Sequence, residues 1–170
     1  MVLHVFGAAG RGGCVSASDA GDSSQAARHV RAWYLLVAAL GIHVADEAST
    51  GFLEFYNPLV LRIRDAWPAF PMPTFTFGVW LAGLVALVAA LALAGPLVRR
   101  SAPGTRTASW ILTTIMMLNG TGHMLGSLYF GRWLPGTTSA PLLLLASAML
   151  ARATLQRRRR GSTPAPASGT

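Results

Sequence analysis

The sequence predicts an all-α fold, a four-helix transmembrane bundle, on three observations. Of its 170 residues, 52% are hydrophobic and only 12% are charged, which is the balance of a membrane protein. The apolar residues gather into four runs, each close to the ~20 residues that cross a bilayer at ~1.5 Å rise per residue. All 14 cations are arginines, and most lie just outside those runs. That is how topology signals are placed, so no nucleic-acid partner is expected. The single cysteine, Cys14, excludes an internal disulfide, and no Cys-x-x-Cys or Cys/His finger spacing is present.

Taken in order, residues 1–27 are rich in Gly, Ser and Ala and lack the basic and apolar regions of a signal peptide, so they read as a disordered extension. The membrane domain then covers residues 28–157, with spans at about 31–55, 74–98, 108–130 and 135–155. The second span carries no charge and is stopped by Arg99-Arg100. The fourth opens at Pro135-Gly136, since proline is tolerated in a first helical turn, and runs through Leu142 to Leu145 up to Arg157. Residues 158–170 are basic and then Pro/Ser/Ala-rich, the composition of a disordered tail.

Arginine placement sets the orientation. Arg11, Arg28, Arg31, Arg99, Arg100, Arg106, Arg152 and Arg157 to Arg160 fall on one side of a four-span arrangement, against Arg62, Arg64 and Arg132 on the other. Both termini are therefore expected in the cytoplasm of a multi-pass plasma-membrane protein, with the arginine run meeting anionic lipid. Trp33 and Trp110 are expected at the inner interface, Trp67 and Trp133 at the outer one. The outer loop from Tyr56 to Pro73 reads as a lid or an interfacial tether.

The first span holds the chemistry. Its clean apolar part, Ala32 to Val44, is too short to cross about 30 Å of hydrocarbon, so the helix is expected to continue through the acidic segment beyond it. At 100° per residue His43, Asp46, Glu47, Thr50 and Glu54 then share an arc of about 100°. Ionisable groups at such depth are expensive and ordinarily functional. In the third span Asn119 and His123 are one helical turn apart, with Gly122 and Gly126 beside them to let another backbone approach. Counted from the cytoplasmic ends, His43 to Glu47 lie ~18 to 24 Å deep and Asn119 to His123 ~17 to 23 Å deep. The two clusters can meet if the first and third spans are neighbours.

These residues resemble the HXXEE family of small bacterial membrane proteins, named for a His-x-x-Glu-Glu in an early span. Here the motif reads His43-Val44-Ala45-Asp46-Glu47, with Asp46 in place of the first Glu. The family's later Asn/His pair and its Tyr before Pro-Gly are matched by Asn119, His123, Tyr129 and Pro135-Gly136, over about Ile42 to Pro141. The resemblance implies four helices and a shared polar site. It implies no activity, because the family is uncharacterised.

The sharpest chemical reading of the cluster is a divalent metal site. His43 and Glu47 stand one turn apart and can ligate one ion, His123 can add a second imidazole, and Asp46 can ligate or orient. Two imidazoles and a carboxylate with an open position suit Zn²⁺, Mn²⁺ or Fe²⁺. Glu47 and Asp46 are the candidate catalytic groups, and Asn119, Glu54 and Tyr129 the candidate orienting partners, for an enzyme acting on a lipophilic small molecule. Without a metal, the same carboxylates and histidine suit acid/base chemistry. The competing classes are an ion or proton transporter, which four spans would support only as a homo-oligomer, and a membrane scaffold whose polar groups merely hydrogen-bond helices together. Met116, Met117 and Met124 read as packing.

Overall fold

A computed structural model describes residues 17–161, and among them all regular structure is helical. The elements are α1 (Ala17–Ser49), α2 (Phe52–Ala66), α3 (Phe77–Leu93), α4 (Gly95–Arg99), α5 (Thr105–Phe130) and α6 (Ala140–Gly161). Of the extension expected at residues 1–27 and the tail expected at 158–170, residues 1–16 and 162–170 lie outside the described residues, and residues 158–161 continue α6. Residues 17–27 are helical rather than disordered, and Gln25, 9% exposed, is already packed into the bundle.

The first expected span is broken. Gly51 adopts φ 77° and ψ 40°, the left-handed conformation that ends helices, while Ser49 and Thr50 turn their hydroxyls back onto the Asp46 carbonyl at 3.0 and 2.6 Å. The chain bends by 80° there and restarts as α2. Most of the expected outer loop is therefore this helix. Asn57 ties it down, donating from Nδ2 to the Phe75 carbonyl at 2.9 Å and accepting the Phe75 amide at 3.1 Å, and the Tyr56 hydroxyl donates to the Pro73 carbonyl at 2.9 Å. The fourth helix also starts later than its sequence suggests. Residues 135–139 form a turn, with Gly136 at φ 82°, and α6 begins at Ala140.

Helix α1 is the centre of the bundle, packing on α6, α3 and α4, while α5 packs mainly on α6. Its buried residues Trp33, Leu36, Val37, Leu40 and Val44 recur at helical spacing and meet Leu143, Ala146 and Leu150 of α6 and Leu112 and Met116 of α5. Trp33 is not an interfacial anchor. It is 2% exposed and donates its indole N–H to the Leu91 carbonyl at 2.9 Å, whereas Trp67 and Trp133 are largely exposed. The close backbone contacts of α5 run mainly to α6, while α1 and α5 meet through side chains, His29 with Ser109 at one end and Glu47 with His123 at the other. The glycine that permits close approach is Gly120, where a Cβ would stand 2.8 Å from Leu144 Cγ and 3.3 Å from the Ala140 carbonyl. Gly126 faces Leu134, and Gly122 faces open space.

The segment Phe77–Arg99 is long and apolar enough to cross a membrane, and only 11% of its apolar window is buried inside the protein. The bent pair α1 and α2 meets the same test when taken together. Replacing Gly120 by Val should push α5 from α6 and destabilise the protein by about 1–3 kcal/mol, the usual result of overpacking. The melting temperature in detergent should fall, and a Gly120→Val, Leu144→Ala double variant should recover part of the loss.

Candidate metal centre

Three ligating side chains converge where α1 ends, α5 passes and α6 begins. One ligand atom from each of His43, Glu47 and His123 lies within 4.8 Å of the others. Their side chains are 0, 7 and 10% exposed. Glu47 Oε1 is the hub, 3.0 Å from His123 Nε2 and 3.6 Å from His43 Nε2. The two imidazole rings meet edge to face with centroids 4.8 Å apart.

Gly136 lets α1 and α5 reach each other across the start of α6. A Cβ there would stand 2.7 Å from His123 Cε1 and 3.0 Å from Glu47 Cγ. Both the positive φ and the missing side chain are required, because the imidazole and the carboxylate stem occupy the space beside this turn.

Asp46 does not join the three ligands. Its Oδ2 accepts the Ser139 amide at 2.9 Å and the Ser139 hydroxyl at 2.7 Å, at the N-terminus of α6 where unpaired amides point outward. Ser139 Oγ also lies 2.8 Å from His43 Nδ1. A hydroxyl has one proton to give, and the short bond to a carboxylate takes it in preference to the 3.2 Å contact with the Gly136 carbonyl. Ser139 Oγ then accepts from His43, which assigns the His43 proton to Nδ1 and leaves Nε2 as a bare lone pair.

That lone pair is the orphan of the site. His43 Nε2 is one of two buried side-chain polar atoms without a hydrogen-bond partner among the described residues, the other being Thr113 Oγ1. Glu47 Oε1 stands 3.6 Å away, too far for a hydrogen bond, and in this tautomer both atoms are acceptors. Glu47 Oε1 is paired with His123 Nε2 at 3.0 Å, while the His43 lone pair beside it has no donor, a gap that a cation among the three side chains would fill, so the donor set fits a divalent ion.

The remaining expected residues divide. Asn119, one turn before His123, faces His43 without completing a hydrogen bond to Nε2. Glu54 is exposed in the first turn of α2, on the rim of a cleft of about 250 Å³ that it shares with Glu47, Phe52 and Trp80. The break at Gly51 therefore moves Glu54 off the α1 face and leaves it at the cleft mouth. Tyr129 is 84% exposed and packs only on the neighbouring Phe130 ring, away from the ligands. A second cleft, of about 290 Å³, reaches His123 and Asn119 between Phe52, Phe55, Leu118 and Phe130. Phe52 borders both clefts, with its ring 5.9 Å from His123 and 5.7 Å from Trp80.

Sequence reasoning missed Ser139, Gly136 and His29. A serine just ahead of an apolar run is an N-cap signal, and it was legible. Its contact with an acid 93 residues earlier was not. His29, 1% exposed, sits among the arginines of the α1 flank, and its Nε2 lies 3.0 Å from Ser109 Oγ and 3.4 Å from Thr154 Oγ1. It fastens α1 to α5 and α6 at the end opposite the centre.

Residues 34–151 match the model of a family described as proteins of unknown function with an HXXEE motif. The chain belongs to the HXXEE family. Within the motif, the histidine and the second acid turn toward His123, while the first acidic position, Asp46 here, holds the start of α6. No curated protein and no solved structure matches the chain.

Replacing Ser139 by Ala should destabilise the fold by about 1–3 kcal/mol, because the Asp46 carboxylate loses its hydroxyl partner, while Ser139→Thr should stay near wild type. Gly136→Ala should be worse than either, having both a strained φ and a clash with His123. Thermal unfolding of the three variants in detergent checks the order.

Proposed function

We propose that this HXXEE protein is a multi-span integral membrane protein in which His43, Glu47 and His123 hold a divalent cation and serve a reaction on a lipophilic small molecule. The observation that carries this reading is the bare His43 Nε2 facing Glu47 Oε1 in a buried cluster that two apolar clefts reach. The ligand set, two imidazoles and one carboxylate, suits Zn²⁺, Mn²⁺ or Fe²⁺.

Membrane placement is supported by the outward surface. Large apolar side chains point away from the bundle on α3 (Val79, Leu93), α5 (Leu118, Leu128) and α6 (Leu145), each more than 60% exposed. Apolar surface on several faces of one small bundle is far more than a water-exposed monomer carries.

A bound divalent ion would supply Lewis acidity and lower the pKa of a coordinated water. The protein's own contribution is positioning. Ser139 and Asp46 hold His43 in one tautomer and ring orientation, and Glu47 stands between the two imidazoles as anionic ligand or proton acceptor. Phe52, Phe55 and Phe130 line the approach to His123, which fits an alkyl, isoprenoid or aromatic substrate entering from the bilayer. Glu54, at the mouth of the other cleft, is placed to exchange protons with water.

One observation supports a metal-free variant of the same chemistry. Asp46, Ser139 and His43 form a continuous hydrogen-bonded chain, and Glu47 pairs with His123 at 3.0 Å, an arrangement that can pass a proton. Transport fits less well. Between the centre and the His29 cluster stands an apolar layer of Leu36, Val37, Leu40, Leu143 and Leu150, all 5% exposed or less.

Protein purified in mild detergent without chelator should carry near-stoichiometric metal by plasma mass spectrometry. His43→Ala and His123→Ala should each lose it, and Ser139→Ala should lower affinity about 10–100-fold. Metal-free, well-folded wild type after supplementation with Zn²⁺, Mn²⁺ and Fe²⁺ would leave only the acid/base reading. For catalysis, a lipid species that changes in abundance with wild type but not with Glu47→Gln in whole-cell lipid profiles is the expected outcome, and identical profiles would sink the enzyme reading. A reporter fused to the C-terminus should signal from the cytoplasm, and a periplasmic signal would overturn the proposed topology.

A further inference from the structure

At the opposite end from the candidate centre, α1 and α6 diverge around a cleft of about 450 Å³ whose walls carry Arg28, Arg31 and Arg152. Each stripe of lining residues lies on one helical face. Arg28, Arg31 and Leu35 follow i, i+3, i+7 on α1, and Met149, Arg152 and Gln156 do so on α6. The helices run antiparallel, as the pairing of His29 with Thr154 at one end and of His43 with Ser139 at the other requires. On both walls the apolar residue, Leu35 or Met149, therefore lies one turn deeper into the bundle than the cations. The floor between them includes Ala32, 5% exposed, and Ala153, 9% exposed.

Among the described residues the three guanidiniums have no carboxylate partner. Among the described residues the ion pairs involve only histidine and Glu47, and Arg28 donates merely to Ser24 Oγ at 3.3 Å. Three planar guanidiniums lining one cleft without a paired acid among the described residues offer a receptor for a phosphate, which each can bind through two parallel N–H groups. The apolar residues beneath them add what a free phosphate does not need, a track for a hydrocarbon chain leading away from the charge.

We infer that this α1–α6 cleft binds the headgroup of an anionic phospholipid, with the phosphate among Arg28, Arg31 and Arg152 and an acyl chain along Leu35 and Met149. The wall geometry is set in advance, because His29 ties α1 to Thr154 of α6 at 3.4 Å beside the cleft. The site lies 12 residues along α1 from His43, about 18 Å away. It rests on the membrane placement proposed above and not on the metal.

The test compares lipid adducts by native mass spectrometry on the full chain in a non-ionic detergent. Phosphatidylglycerol should be retained over phosphatidylcholine of the same chain length. The Arg31→Gln, Arg152→Gln double variant should weaken retention at least tenfold, and an Arg99→Gln, Arg106→Gln control that removes the same charge elsewhere should not. Glycerol phosphate, the headgroup without chains, should fail to displace the lipid at equal concentration. All four arginines are exposed, so the variants should fold, and their melting temperatures without lipid check this. Met149→Glu, which leaves the cations in place and sets a carboxylate in the cleft, should also lose the adduct. Equal retention of both lipids, equal loss in the control, or displacement by glycerol phosphate would overturn the site. Because alkaline extraction measures membrane integration separately, a protein that stays in the membrane fraction but fails here loses this site alone.

Discussion

Two hydrogen bonds from Ser139 to the Asp46 carboxylate join the end of α1 to the start of α6, and the candidate centre depends on that junction. They anchor the turn that precedes α6 in the groove between α1 and α5. They also commit the Ser139 proton, which leaves its oxygen to accept from His43 and turns the Nε2 lone pair toward Glu47. A single contact thus sets helix docking, ring orientation and tautomer together. Breaking it leaves a carboxylate without its strongest donor in a setting where few alternatives exist.

The buried histidines lie toward the two ends of the bundle, and the middle is mainly apolar, with Thr113 and Ser147 buried within it. At one end His29 lies between Ser109 and Thr154, whose hydroxyls also donate to carbonyls four residues back in their own helices. Such back-bonding lets a hydroxyl sit inside a bundle at little cost, and it makes the His29 cluster a satisfied fastening. At the other end His43 Nε2 stays unpaired and Glu47 has imidazole nitrogens on two sides. The Nε2 atom of His29 has hydroxyl partners and that of His43 has no hydrogen-bond partner, although both side chains are buried to the same degree.

The break at Gly51 is the device that opens the centre. Had α1 continued, Glu54 would lie on the same face about two turns beyond Glu47. The left-handed glycine turns the chain by 80° instead, so that Phe52 stacks toward Trp80 and His123 and the space on either side of it becomes two approaches to the ligands. Asn57 then holds α2 to the segment before α3 through both atoms of its amide.

Sequence alone determined the helical class, the approximate place of each apolar segment, and the three side chains that could hold a metal ion, because helix periodicity puts His43 beside Glu47 and apolar surroundings make an isolated acid or histidine conspicuous. Equal depth counted along the helices allowed His123 to meet them on the condition that the two helices are neighbours. Whether α1 and α5 are neighbours was left open, since contact between helices leaves no local mark in the chain. The meeting of the two clusters required Gly136 to leave a gap, and that role appears only when His123 and Glu47 are seen filling it. Asp46 read as a fourth ligand because its position in the motif is compatible with either face. Only the tertiary structure assigned it to Ser139, because the N-terminus of another helix offers a carboxylate donors that a neighbouring lone pair cannot.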